Sequence, residues 1–222
     1  MKLSERLARL GTETAFEVLV RARALEAQGK SVIHLEIGEP DFDTPAHITE
    51  AAIEALKGGA THYGPAAGIP ELRQAVAEDS RARRGVKTTP EMVVVTPGGK
   101  PVMFYTILAL IDPGDEVLYP NPGFPIYESK IRYIGLIPIP VRLLEDRAFE
   151  LDVDQLVNRV GPKTRVIVIN HPHNPTGGGI PESGLRAIAE VAARHGIPVM
   201  ADEIYSELLY EGRHVSIASM PG

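Results

Sequence analysis

Apolar residues fall into two patterns along this chain, a helical period near the start and short unbroken runs further on. Ala15, Leu19, Ala22 and Leu25 recur at helical spacing between polar residues and are followed by Gly29, which predicts an amphipathic helix over 12–28 with a glycine at its carboxyl end. A short strand is predicted over 32–37, ended by Gly38-Glu39-Pro40-Asp41. Helices follow over 45–56, stopped by Gly58 and Gly59, and over 69–83, with Pro70 in the first turn and a loop over 64–68 before it. Beyond residue 90 the pattern alternates. Apolar runs at 93–96, 116–119, 137–141, 166–169 and 197–201 read as buried strands. Helical stretches at 101–110, 124–133 and 153–160, and an Ala-, Leu- and Ile-rich one before the last run, lie between them. Such alternation implies an α/β fold, a mostly parallel sheet flanked by helices. The charged stretch 143–150 reads as a surface excursion, and everything before Gly38 as an arm or part of a smaller domain.

Polar residues take over where the last two runs end. Asn174 stands in His173-Asn174-Pro175-Thr176-Gly177, and Asp202 and Tyr205 in Asp202-Glu203-Ile204-Tyr205. Two strands joined by a crossover helix deliver all three to the carboxyl edge of one sheet, where open α/β sheets place their ligands. An amide, a carboxylate and a phenol suit a cofactor with a ring nitrogen to keep protonated and a phenolate oxygen to hold. Pyridoxal phosphate is such a cofactor. A carboxylate ending an apolar strand needs a partner, because burying it alone is costly. For Asp202 the partner is a protonated pyridine nitrogen, a helix amino terminus or a magnesium ion. Upstream, Thr96-Pro97-Gly98-Gly99-Lys100 separates a strand from a helix: either the backbone there approaches an anion, or the turn binds nothing. Phe124, in Pro122-Gly123-Phe124-Pro125, either lies flat against a planar ring or belongs to the core.

Composition narrows the classes. The 222 residues are 44% apolar and 23% charged, as in an ordinary globular protein, and the net charge of −6 with no basic tract argues against nucleic acid as a partner. With no cysteine, thiolate metal sites and disulfides are excluded. His171 and His173 have no evident third ligand nearby, so no metal site is expected. No Ser or Thr follows Lys100 as in a nucleotide P-loop, and neither a Gly-x-Gly-x-x-Gly fingerprint nor a Gly-x-Ser-x-Gly elbow occurs. Met1-Lys2-Leu3-Ser4-Glu5-Arg6 lacks the apolar core of a signal peptide and no run approaches membrane-spanning length, so a cytoplasmic location is expected.

Taken together, from about Glu36 to Ser219, the motifs resemble the N-terminal part of a class I/II aminotransferase, a pyridoxal-phosphate enzyme of fold type I, and within it the bacterial aspartate aminotransferases. The resemblance rests on Gly38-Glu39-Pro40-Asp41-Phe42, His62-Tyr63, Gly68-Ile69-Pro70-Glu71-Leu72-Arg73 and Thr96-Pro97-Gly98-Gly99-Lys100. It continues through Asp112-Pro113-Gly114-Asp115-Glu116, the 120–125 turn, Asn174-Pro175-Thr176-Gly177 and Asp202-Glu203-Ile204-Tyr205. It implies that residues 1–44 are an arm and part of a small domain, and 45–222 a large cofactor-binding domain truncated at its C-terminal side. Gly98, Gly99 and Lys100 would then give backbone donors to the cofactor phosphate. Phe124 would stack on the ring, Asp202 pair with its nitrogen, and Asn174 and Tyr205 hold its phenolate oxygen. Gly38 would meet the substrate carboxylate beside Asn174, and Tyr63 would reach the phosphate of a neighbouring subunit, implying a homodimer. Lys100 would lie near the distal carboxylate of an acidic substrate such as aspartate or glutamate; a solvated lysine in a helix's first turn is the alternative. The family reaction moves an amino group from an amino acid to a 2-oxo acid.

One departure is chemical. The family lysine that forms the Schiff base, within a Ser-x-x-Lys or Ser-Lys element, matches none of Lys2, Lys30, Lys57, Lys87, Lys100, Lys130 and Lys163. It is expected shortly after Gly222, so no catalytic residue is assigned here and the chain by itself is expected to be inactive. Two other readings share the cofactor contacts: a carbon–sulfur or other pyridoxal-phosphate lyase, and a non-catalytic cofactor-binding regulatory domain.

Overall fold

Successive residues of a strand face opposite sides of its sheet, so a strand with no polar alternation must be covered on both. That is what the 117–119 and 166–169 runs require. The computed structural model describes residues 2–11 and 14–221. Its strands are β1 (Glu116–Asn121), β2 (Ile137–Leu144), β3 (Glu150–Leu151), β4 (Thr164–Asn170) and β5 (Val199–Asp202). They form one sheet in the order β3-β2-β1-β4-β5. β1 pairs in parallel with β2 and β4, and β4 with β5, while β3 runs antiparallel along β2. The helices are α1 (Thr14–Glu26), α2 (Ala46–Lys57), α3 (Pro70–Arg84), α4 (Lys100–Leu110), α5 (Ile126–Ile134), α6 (Val153–Arg159) and α7 (Glu182–His195).

The chain divides into two compact units, Met1–Thr12 with Pro70–Gly222, and Glu13–Ile69. The first contains the sheet. On one face Leu118, Val141, Ile167 and Ile169 pack with Leu156 of α6 and Leu185, Ile188 and Val191 of α7. On the other, Val117, Tyr119, Val166 and Val168 pack with Met103 and Ile107 of α4 and Ile126, Tyr127 and Ile131 of α5. Each such aliphatic side chain contributes about 1.5–3 kcal/mol of burial. α6 starts at Asp152, whose carboxylate accepts from the Gln155 amide at 2.9 Å and from Arg142 Nε at 2.7 Å.

In the second unit, α1 and α2 flank an extended segment. There His34 sits between Glu36, 2.6 Å from Nδ1, and Glu26, 3.0 Å from Nε2. The hydrogen bond to Glu36, then that to Glu26, raises the His34 pKa.

Three sequence expectations need correction. The 32–37 segment is not a strand: Ile33 and Leu35 are exposed and no ladder bonds form. The 93–96 segment is extended at Val93 but also unpaired, and Val94 is exposed. Both have strand-forming residues and, among the described residues, no neighbour to pair with. The 143–150 stretch, expected as a surface excursion, instead ends β2 and turns back into β3, pairing Leu143 with Leu151 and Leu144 with Glu150. The predicted first helix begins at Thr14, and Thr12 lies outside the described residues. No helix among the described residues is long and apolar enough to cross a membrane.

Candidate functional site

The strand order reverses between β1 and β4: the chain moves outward from β1 to β2, then returns to β4 and on to β5. At such a switch point the loops at the carboxyl ends part and leave a crevice. The loop after β1 carries Phe124, the loop after β4 carries Asn174, and β5 ends in Asp202 with Tyr205 in the following turn. Gly99, Lys100, Met103, Phe124, Asn170, Asn174, Asp202 and Tyr205 line one cavity of about 470 Å³.

Bracing between loops sets the geometry. Asn170 and Asp202 are paired in the β4–β5 register. The Asn170 amide donates from Nδ2 to the Asp202 carbonyl at 3.0 Å, and its Oδ1 accepts from the Asn174 backbone N–H at 2.7 Å. Asn174 Nδ2 in turn donates to the Tyr205 hydroxyl at 3.4 Å. The loop is closed on itself: His173 N–H donates to the Gly178 carbonyl and Gly177 N–H to the His173 carbonyl. His173, itself buried, has Nδ1 2.9 Å from the Thr176 hydroxyl, and burial lowers its pKa.

The partner that Asp202 requires proves to be Tyr127. Its hydroxyl donates to Asp202 Oδ2 at 2.6 Å, and its ring meets Phe124 edge-on with centroids 5.9 Å apart. Burial, then the Asp202 charge, pushes the Tyr127 pKa upward, so the phenol keeps the proton it donates. Asp202 Oδ1 accepts a longer bond, 3.4 Å, from the Ile204 amide. Sequence reasoning missed Tyr127 because 75 residues separate it from Asp202. Its one local signal was the i, i+3 spacing from Phe124. Asn170 was missed too, although it ends an apolar strand as Asp202 does.

At the other end, Gly98 has φ +85° and its N–H donates to the Thr96 carbonyl, while the Thr96 hydroxyl donates to the Gly98 carbonyl at 2.6 Å. Gly99 and Lys100 then open α4, whose amino terminus carries the positive end of the helix dipole. Gly38 and Tyr63 belong to the other unit, where both are exposed. His171 and His173 do not converge on an ion. His171 Nδ1 accepts the Ile180 N–H at 3.1 Å, and burial, then the neighbouring His214, lowers its pKa to about 4. Among the described residues no group of three or more His, Asp or Glu side chains is placed to hold a metal.

A carboxylate held by a phenol, an amide beside a second phenol, an aromatic wall and a helix amino terminus form a specific donor set. The family model for class I and II aminotransferases matches residues 30–220. This chain belongs to that family. The chain is 43% identical over 214 residues to a probable aspartate/prephenate aminotransferase of Thermus aquaticus, a match covering 96% of this chain and 56% of that protein. It is 38% identical to the aspartate aminotransferase of Geobacillus stearothermophilus, covering 99% of this chain and 56% of the relative. Among solved structures, the Thermus thermophilus aspartate aminotransferase with maleate superposes with a TM-score of 0.95 at 41% identity, over 99% of this chain and 57% of that one. The chain thus spans a little over half the length of these relatives. Class I and II aminotransferases use pyridoxal 5′-phosphate. The donor set fits it: a helix amino terminus at the start of α4, a cavity of about 470 Å³ lined by Phe124, and a carboxylate held by Tyr127.

Proposed function

We propose that the protein is a pyridoxal-phosphate-dependent aminotransferase that moves an amino group between an acidic amino acid, aspartate or glutamate, and a 2-oxo acid. The observation that carries this reading is the single cavity in which Lys100, Phe124, Asn174, Asp202 and Tyr205 meet. Backbone N–H groups of Gly99 and Lys100 would hold the cofactor phosphate, that of Gly98 being bonded to the Thr96 carbonyl, and Phe124 would cover one face of the ring. Asp202 would keep the proton on the ring nitrogen, with its own orientation set by Tyr127. Asn174 and Tyr205 would donate to the phenolate oxygen. When bound, the cofactor supplies a cationic ring that withdraws electrons from the substrate's α-carbon.

Lys100 would meet the distal carboxylate of the substrate. Tyr63, fully exposed on its unit, would serve the phosphate of a second subunit in a homodimer. The named relatives, aspartate/prephenate and aspartate aminotransferases, support an acidic substrate.

The test is an assay of the full-length protein with aspartate and 2-oxoglutarate, run beside a β-elimination assay. Transamination that falls about a hundredfold or more in Asp202→Asn is expected, from loss of the carboxylate charge that holds the ring proton. Elimination without transfer would refute the reading. An unchanged preference for aspartate over alanine in Lys100→Ala would remove Lys100 from it.

A further inference from the structure

Tyr205 sits in a turn that no strand supports. The sheet ends at Asp202, and residues 204–207 form a turn in which Ser206 N–H donates to the Glu203 carbonyl and Leu208 N–H to that of Tyr205. Ile204, beside Tyr205, is exposed. Two backbone bonds set the local shape of such a turn but not where it points.

The last turn of α3 supplies that direction. Arg84 Nη1 lies 3.5 Å from Glu203 Oε2, and Nη2 lies 3.2 Å from Ser206 Oγ. Its neighbour Arg83 donates from Nη1 to Glu207 Oε2 at 3.3 Å. Positions 203, 206 and 207 are therefore tied to one helix end, with Tyr205 inside the span. From another side, His214 Nε2 lies 3.3 Å from the same Glu203 Oε2, within ion-pairing distance but not aligned as a hydrogen bond. The His214 ring packs on His171 with centroids 5.1 Å apart. The Glu203 and His214 side chains are 9% and 7% exposed.

A buried carboxylate must be paired, and the guanidinium fork reaches two acceptors at once, fixing orientation as well as distance. A cation in the last turn of a helix also complements the helix dipole. We propose that Arg84 is a positioning residue whose fork on Glu203 and Ser206 sets the turn that presents Tyr205 to the cofactor's phenolate oxygen. The proposal rests on the function assigned above. It gives work to an arginine that lines the cavity wall at Glu203 yet belongs to none of the sequence motifs.

Pyridoxamine 5′-phosphate needs no lysine to bind, and its own fluorescence reports binding to the full-length protein. Tyr205→Phe is expected to weaken binding about tenfold, the effect of losing a donor to a charged oxygen. Arg84→Met should weaken it about fivefold in the parent chain and less than about twofold in the Tyr205→Phe background, because coupled residues are not additive. Arg84→Lys should recover part of the loss. Equal losses in both backgrounds, or in neither, would overturn the proposal. If thermal melts show that Arg84→Met does not fold, Ser206→Ala removes one anchor alone and is judged by the same disappearance of its effect beside Tyr205→Phe. A parent chain that does not bind the probe would overturn the proposed function and this role with it. Binding with additive losses would overturn the role alone.

Discussion

Replacing Tyr127 by Phe tests whether Asp202 is ordered before any ligand arrives. Tyr127 is 1% exposed and its ring packs edge-on against Phe124, so Phe keeps the ring contacts and removes one oxygen. What is lost is a bond of 2.6 Å from a neutral phenol to a carboxylate. Hydrogen bonds to charged groups contribute about 1.5–3 kcal/mol, and Asp202 is only partly buried, so water recovers some of its solvation and the lower end, about 1.5 kcal/mol, applies. For a chain of this size that corresponds to a melting temperature lower by about 3–6 °C. The assay is calorimetric or circular-dichroism melting at neutral pH of the parent, Tyr127→Phe, Asp202→Asn and the double variant. The double-mutant cycle should return a coupling of about 1.5 kcal/mol. A Tyr127→Phe melt within about 1 °C of the parent, or strict additivity in the cycle, would refute the reasoning, since roughly 1 kcal/mol moves such melts by about 2–4 °C.

Other consequences follow from the same geometry. Asp152→Ala removes both the cap of α6 and the partner of Arg142 and should cost about 1–2 kcal/mol in chemical denaturation. Asp152→Asn, which keeps a capping oxygen, should cost under about 1 kcal/mol because Arg142 is largely exposed. A Cβ at Gly178 would run into the Phe149 carbonyl, so Gly178→Ala should loosen the 173–178 loop and weaken pyridoxamine phosphate binding; unaltered affinity would show that this loop does not set Asn174. His171 is held with a pKa of about 4 against an ordinary 6.5, so between those values the unfolded chain binds the extra proton. Its contribution is complete above about pH 6.5 and is lost as pH falls toward 4. After discounting for the solvent-facing part of the ring, this amounts to about 2–3 kcal/mol. Urea melts across that window should show a shallower acid slope in His171→Asn than in the parent, and identical slopes would refute the assignment.

Much of the large unit was legible in the sequence because its signals are local. The period of Leu185, Ile188 and Val191 marks the buried face of α7, and the unbroken 166–169 run marks a strand covered on both sides. Asn174, Asp202 and Tyr205 stood out because they lie within a few residues past such runs, and the cavity brings them together with Lys100 and Phe124. The misread segments fail for one reason. Residues 32–37 and 93–96 have strand composition, but a strand exists only where a neighbour accepts its ladder bonds, and composition does not supply the neighbour. The 143–150 stretch fails in reverse, since charged residues hid a short return strand along β2.

The amino-acid order alone thus determined the central strands and the helices that cover them, where those helices stop, and that Asn174, Asp202 and Tyr205 lie at the sheet's carboxyl edge, because each follows from spacing within a few residues. The tertiary structure decided the partners. It joined Tyr127 to Asp202 and Arg84 to Glu203 and Ser206 across 75, 119 and 122 positions. It also made Asn170 a brace between two strands. Such pairings have no local signature, because any of several tyrosines or arginines could satisfy a buried carboxylate. Which one does depends on where the packed sheet and helices leave it.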